Sequence, residues 1–124
     1  MVSKGEQLIE SFLQEKNFKY EKEKTFEDLK KKAKLRFDFY IPEYWTLIEV
    51  DGEQHNKVGF YHPTHENLRQ SLKRDKRKDE YCIKKLYKLI RIPYNKLDLL
   101  TADILEAKIK TPKYGKVYNL ENLY

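Results

Sequence analysis

The segment from residue 35 to residue 55, LRFDFYIPEYWTLIEVDGEQH, constrains the fold more than any other part of the chain. Apolar and polar residues alternate over residues 35–41 and again over residues 46–51, which predicts two strands. Residues 42–45 lie between them and have the length of a four-residue turn. The segment therefore predicts a β-hairpin.

The alternation also assigns side chains to the two faces of this hairpin. One face of the first strand is expected to carry Leu35, Phe37, Phe39 and Ile41, and the other Arg36, Asp38 and Tyr40. On the second strand, Ile48 and Val50 face one way, and Glu49 and Asp51 the other. A four-residue turn then places Asp38 opposite Glu49 and diagonal to Asp51.

Three carboxylates on one side of a hairpin repel one another, and a bound cation is the main way to stabilise them together. The alternative is a solvent-facing strand surface, but acidic residues have poor strand propensity and two of them in one strand need a reason. A divalent metal prefers oxygen ligands of this kind. We therefore interpret Asp38, Glu49 and Asp51 as candidate metal ligands.

Other polar residues could complete a catalytic site around these acids. His55 follows the second strand and can carry a proton near neutral pH. Asp75 falls on the apolar stripe of a later helix, where it either pairs with His55 or is exposed to water, and Asp79 is an alternative partner. Glu6 is a further candidate, although a capping box with Ser3 also explains it.

The remaining periodicity predicts the other elements. They are a helix over 3–16 that ends near Asn17, a strand over 18–26, a charged connector or helical turn over 27–34, a loop over 52–65, a helix over 66–85, a strand over 87–92 and a helix over 101–110 capped by Thr101. The stripe of the longest helix is expected to contain Leu68, Leu72, Asp75, Asp79, Cys82 and Leu86. The order α-β-β-β-α-β-α predicts an α/β (mixed α+β) fold with a small central mixed sheet flanked by helices.

We assign residues 1–110 to a single domain and residues 111–124 to a polar, tyrosine-rich tail. Its last four residues, ENLY, resemble the start of a protease-site tag and are left out of the fold prediction. The lone Cys82 excludes an intramolecular disulfide and is expected to be a buried thiol. No apolar run reaches membrane-spanning length, so we expect no membrane association and a cytoplasmic location.

The net charge of +6 together with clustered acids suggests a polyanionic partner such as nucleic acid. Candidate contacts to the phosphate backbone are Lys73, Arg74, Lys76, Arg77, Lys78, Lys32 and Lys34. Tyr44 and Trp45 could stack on bases. Solvated lysines and core-covering aromatics are the alternatives.

The blocks KGEQLIESFL, LRFDFYIPEY, IEVDGEQH, RDKRKDEYC and LIRIPY resemble, in this order, the PD-(D/E)XK nuclease superfamily. Within it the chain is similar to Vsr-like endonucleases and, more closely, to phage-type EDxHD homing-endonuclease domains. The resemblance covers roughly residues 4–94, and IEVDGEQH after FDFY is its most specific part. It implies a restriction-endonuclease-like core and a phage or bacterial origin.

The resemblance also implies roles for individual residues. The implied catalytic set is Glu6, Asp38, Glu49, His55 and Asp75, and the implied metal ligands are Asp38, Glu49, Asp51 and the carbonyl of Val50. His55 matches the general base, and Asp75 matches the residue that supports it. Asp51 stands where the superfamily pattern has a lysine, which places more weight on His55. The zinc-binding cysteines of repair members are absent, so a structural zinc is not expected.

The sequence therefore predicts a Mg²⁺- or Mn²⁺-dependent endodeoxyribonuclease that acts on DNA, expected to be double-stranded, as a monomer or a homodimer. Two alternatives stay open at this point. The chain could be an inactive nucleic-acid-binding module on a nuclease fold, or a phage-type protein-interaction factor.

Overall fold

Five strands form one mixed sheet in the computed structural model, which describes residues 3–30, 34–52 and 65–120. The strands are β1 (Glu21–Lys30), β2 (Lys34–Ile41), β3 (Thr46–Asp51), β4 (Lys88–Pro93) and β5 (Lys116–Asn119), and they lie side by side in chain order. Strands β1, β2 and β3 are antiparallel neighbours, whereas β3, β4 and β5 are parallel neighbours. The predicted mixed sheet is confirmed.

Three helices flank this sheet: α1 (Lys4–Glu15), α2 (His65–Lys84) and α3 (Ala102–Lys110). Two of them begin at the predicted caps, because Ser3 Oγ accepts from the Glu6 N–H and Thr101 Oγ1 accepts from the Ile104 N–H, both at 3.1 Å. Short 3₁₀ helices span Pro42–Tyr44 and Tyr94–Leu99. The predicted order α-β-β-β-α-β-α is confirmed as far as α3, and the additional strand β5 follows it.

Two parts of the chain differ from the predicted elements. Residues 27–30 continue β1 rather than forming a connector, and their strand pairs with β2 as far as Lys30↔Lys34. The segment after residue 110, which the sequence analysis treated as a tail, supplies β5, and Leu120 is buried. Both strands lie at the sheet edges, where charged residues are tolerated and the apolar alternation is weak.

The sheet is covered on both faces by apolar clusters. Ile48 and Ile90 pack with residues of α1 and α3, whereas their strand neighbours Leu47 and Leu89 pack on the opposite face with Cys82 of α2. Cys82 is buried, so the predicted buried thiol is confirmed, and burial raises the pKa of this thiol to about 12.

The predicted face assignment of β2 is wrong in its first half. Leu35 and Phe37 pack in the α2-facing cluster, whereas Phe39 and Ile41 pack in the opposite one. The change of phase occurs at Asp38, whose side chain accepts a hydrogen bond from the Val50 N–H in place of a regular ladder bond. Sequence alternation could not show this, because it assumes an unbroken pleat.

The predicted stripe of α2 is also partly wrong. Leu72 is 47% exposed and Leu86 is 62% exposed, whereas Ser71 and Cys82 are buried. The helix turns Lys78 inward as well, with its side chain only 13% exposed. This orientation follows from the sheet beneath α2, which presents the charged side chains of Glu49 and Arg91.

None of the helices in the described residues combines the length and the apolar character that crossing a bilayer requires.

Lys88 fixes the end of α3 against the sheet. Its side chain is fully buried, and Nζ donates to the carbonyl oxygens of Lys108 and Thr111, each at 2.7 Å, and to that of Ile109. The Lys108 and Thr111 carbonyls also accept from the N–H groups of Thr111 and Lys113, and all three carbonyls lie at the C-terminal end of α3, where a cation is favourable.

We expect Lys88→Met to lower the free energy of unfolding by about 3 kcal/mol, because three carbonyl groups at the end of α3 lose the charged donor that they share. Urea denaturation of the variant measures this loss. Lys84→Met, at an exposed lysine, is the matched control and should change stability by less than about 0.5 kcal/mol. Equal stability of the two variants would contradict the capping role.

Candidate active site

The hairpin brings Asp38 and Glu49 together at the centre of the sheet. The pairs Phe39↔Ile48, Tyr40↔Leu47 and Ile41↔Thr46 fix its register, and just beyond them the charge of Asp38 raises the pKa of Glu49. Residues 42–45 form the turn, as predicted. The predicted juxtaposition of these two carboxylates is therefore a direct consequence of the turn length.

Glu49 is a buried carboxyl group, only 6% exposed, with a lysine as its partner. Lys78 Nζ reaches it from α2 and lies 3.0 Å from Oε1. Burial raises the pKa of Glu49 to about 8, while the charge of Lys78 acts in the opposite direction. Glu49 can therefore gain or lose a proton near neutral pH. A further cation bound nearby would favour its ionised form.

Asp38 is the second perturbed carboxyl group. Burial raises its pKa to about 6, although the hydrogen bond from the Val50 N–H, at 2.7 Å, partly opposes the shift. The charge of Glu6 raises this pKa further, that of Lys78 lowers it, and that of Asp51 raises it. Asp38 thus lies where ionisation is unfavourable, mainly because it is shielded from water, and this favours either a proton or a cation.

The close approach of α1 to β3 explains why Glu6 acts on Asp38. A Cβ atom on Gly5 would lie 2.9 Å from both Val50 Cγ1 and Leu97 Cδ1, which is too close for any side chain. Glycine at this position lets the first turn of the helix rest on the strand beside Asp38. Glu6 therefore lies close enough to act on Asp38 through its charge, and its role in a site stays a prediction.

Asp51 belongs to a second ionic group centred on Arg91. The guanidinium is 5% exposed, and its Nη1 and Nε donate to Asp51 Oδ1 and Asp79 Oδ1, each at 2.8 Å. Its Nη2 donates to the carbonyl oxygen of Asp75 at 3.1 Å. Arg91 therefore links β3 and β4 to α2, and Asp51 has a cationic partner supplied by the chain itself.

Several predicted site residues lie elsewhere or cannot be placed. His55 and Lys32 lie outside the described residues, and the pairing of His55 with Asp75 stays a prediction. The prediction that Lys78 lies on the outer, phosphate-facing surface of α2 is wrong. Its side chain points into the protein and contacts Glu49. Its inward direction follows from its spacing to Cys82, one turn along the helix.

The other predicted nucleic-acid contacts have varied environments. Lys73, Arg74 and Lys76 are exposed on α2, as a backbone contact requires. Arg77 Nη2 donates to the carbonyl oxygen of Lys30 at 2.7 Å. Lys34 pairs with Glu27 at the end of the hairpin formed by β1 and β2.

Of the two aromatic residues in the turn, one packs against the core and the other is exposed. Tyr44 packs edge-on against Phe18, with ring centroids 5.7 Å apart, and covers the core. Trp45 stacks on Tyr87 with centroids 4.9 Å apart and stays 45% exposed.

The donor set fits a hard divalent cation better than a soft one. Within the described ranges, no three His, Cys, Asp or Glu side chains are arranged to hold a metal ion by themselves. Asp38 and Glu49 nevertheless provide two adjacent carboxylates, and Mg²⁺ is commonly bound by one or two carboxylates together with substrate phosphates and water. These two residues therefore fit a site that the substrate completes.

Two residues of the site escaped the sequence prediction. Lys78 stood in a basic run that looked like a solvated face, and Arg91 lay between Ile90 and Ile92 in a short apolar strand. The signal for Arg91 was this charge within a buried strand, which requires a carboxylate partner. For Lys78, the signal was the helical spacing to Cys82.

Comparison with known proteins gives no identification. No protein-family model matches the sequence, and no curated protein matches it significantly.

We expect Asp38→Asn to stabilise the protein at pH 7.5 by about 2–3 kcal/mol, because the folded-state pKa of about 6 exceeds the ordinary value of 3.8. The ionised carboxylate therefore costs stability above pH 6, and this cost disappears as pH falls below 4. Thermal and urea denaturation of both proteins between pH 4 and 8 measures the difference. An equal difference at every pH would contradict the raised pKa.

Proposed function

We propose that the protein is a metal-dependent endonuclease that hydrolyses phosphodiester bonds in DNA. The observation that carries this proposal is the pair of carboxyl groups on adjacent strands, the half-buried Asp38 and the buried Glu49, whose pKa values are both raised. Perturbed acids of this kind concentrate at functional sites. The exposed basic residues of α2 supply the positive charge that a DNA backbone requires.

Asp38 and Glu49 are the residues that would hold the metal. A bound Mg²⁺ or Mn²⁺ would polarise the scissile phosphate and neutralise the charge that develops on it. Lys78 keeps Glu49 oriented through its 3.0 Å contact. Arg91 holds α2 against β3, so that the helix and the carboxylates keep a fixed relation.

The proton transfers are assigned by resemblance. His55 would accept the proton of the attacking water, with Asp75 as its supporting residue. Glu6, whose charge reaches Asp38, would add negative charge at the same edge of the site. The exposed side chains of Lys73, Arg74 and Lys76 would contact phosphates along the duplex.

One observation favours a second candidate function, a nucleic-acid-binding module without catalysis. Glu49 and Asp51 already have cationic partners within the chain, Lys78 and Arg91. A metal would have to displace or share these contacts. Metal binding therefore separates the two candidates.

For cleavage, we expect the wild-type protein to nick or linearise supercoiled plasmid with Mg²⁺ or Mn²⁺ and to lose activity in EDTA. Asp38→Asn should reduce the rate at least a hundredfold and leave DNA affinity within about twofold, because Asp38 would act on the metal rather than on the phosphate backbone. The matched control is Asp98→Asn, at an exposed carboxylate, which should cleave normally. Retained cleavage by Asp38→Asn would overturn the assignment.

For metal binding, we expect Mn²⁺ to raise the Tm of the wild-type protein in the absence of DNA. At a Mn²⁺ concentration one hundred times the Kd, the added stability is about 2.7 kcal/mol. This corresponds to a rise in Tm of roughly 10 °C in a domain of this size. Asp38→Asn should show little or no rise, whereas Asp98→Asn should respond as wild type. An unchanged Tm in the wild type, together with intact DNA binding, would favour the binding module.

A further inference from the structure

A shallow groove of about 310 Å³ lies away from the carboxylate pair, at the end of the sheet where β3 and β4 begin. Trp45, Lys85, Leu86 and Tyr114 line it. The three apolar members are all exposed large side chains. A solvent-exposed apolar groove of this kind indicates a binding surface.

Trp45 gives this groove an aromatic platform. The indole is stacked nearly parallel on Tyr87, with an interplanar angle of 13°, so one side of the ring is supported by a second ring. The backbone of Trp45 is also fixed, because its carbonyl oxygen accepts from the Lys88 N–H at 3.0 Å. The platform is therefore rigid as well as exposed.

The backbone around the groove is strained at two large apolar residues. Trp45 has a φ of 54° and Leu86 a φ of 64°, both in the left-handed region that favours glycine or asparagine. Leu86 follows α2, where the Tyr87 N–H bonds to the Cys82 carbonyl in the arrangement that usually has glycine at this position. Strained positions held by bulky, exposed side chains point to function rather than to folding.

The rim of the groove carries positive charge. The exposed Lys84 and Lys113 are adjacent in sequence to lining residues, and the exposed Lys116 lies two residues after Tyr114, whereas Lys85 in the lining pairs with Asp28 at 3.2 Å. A ligand that matches both features has a flat apolar face and an anionic backbone. An unpaired nucleobase in a single strand has both, whereas the bases of an intact duplex are stacked on one another.

We propose that this groove binds an unpaired nucleobase of single-stranded DNA, stacked on Trp45, while the neighbouring phosphates contact the rim lysines. The inference rests on the proposed function only for the choice of DNA as the polymer. Trp45 precedes Glu49 by four residues, or roughly 13 Å along β3.

The fluorescence of Trp45 tests this proposal, because it is the only tryptophan in the chain. The full-length protein is titrated in EDTA, which prevents cleavage, with a short oligothymidylate and with an abasic oligonucleotide of equal length. We expect quenching by the oligothymidylate and at least fivefold weaker binding of the abasic strand, since stacking of a base on an aromatic ring provides this difference. Equal quenching by both strands would overturn the proposal.

Substitutions distinguish binding in the groove from general electrostatic attraction between the basic protein and DNA. Tyr114→Ala keeps the tryptophan reporter and should weaken oligothymidylate binding at least threefold, and Trp45→Ala should weaken it at least fivefold by fluorescence anisotropy of a labelled strand. Leu99→Ala, at another exposed leucine, is the matched control and should bind as wild type. Unchanged binding by Trp45→Ala would overturn the proposal, as would a Trp45-dependent dimer in sedimentation, which would make a second copy the occupant.

The outcome is independent of the nuclease assay. Base-dependent quenching without plasmid cleavage supports the groove and counts against the proposed catalysis. Plasmid cleavage without base-dependent quenching supports the catalysis and contradicts nucleobase binding in the groove.

Discussion

Buried ionic contacts, rather than apolar packing alone, hold the long helix α2 on the sheet. Lys78 reaches Glu49, and Arg91 reaches Asp79 together with a backbone carbonyl of the helix. Buried ion pairs contribute little net stability compared with apolar side chains of the same size, because both charges must leave water. Their value lies in geometry, since they fix the rotation of the helix about its own axis. Everything on that face of the sheet, including the position of Asp38 relative to the basic surface of α2, depends on this rotation.

Asp38 lies beside these contacts, where ionisation is unfavourable. Burial is the largest cause, the charges of Glu6 and Asp51 add to it, and the Val50 N–H and the charge of Lys78 oppose it. Folding therefore places the carboxyl group where ionisation is unfavourable, and a protein gains nothing in stability from such an arrangement. A cation that binds there would recover this free energy, which is the physical basis for treating the site as a metal centre.

The sequence predicted the parts of the structure that depend on local periodicity and turn length. The hairpin register followed from a four-residue turn, and the helix caps followed from Ser3 and Thr101. The phase change at Asp38 was not predictable, because it depends on a side chain that replaces a ladder hydrogen bond across two strands. The inward direction of Lys78 was missed for a related reason, since only the acid on the neighbouring strand makes a buried lysine favourable. The edge strand β5 was missed because its residues are mostly polar.

A carbon-13 NMR titration of the side-chain carboxyl groups, with and without Mg²⁺, tests the metal site most directly. Without the metal, we expect Asp38 to titrate near pH 6 and Glu49 near pH 8. With saturating Mg²⁺, both pKa values should fall. Titration of both groups near their ordinary values, unaffected by Mg²⁺, would contradict a metal site at these two residues.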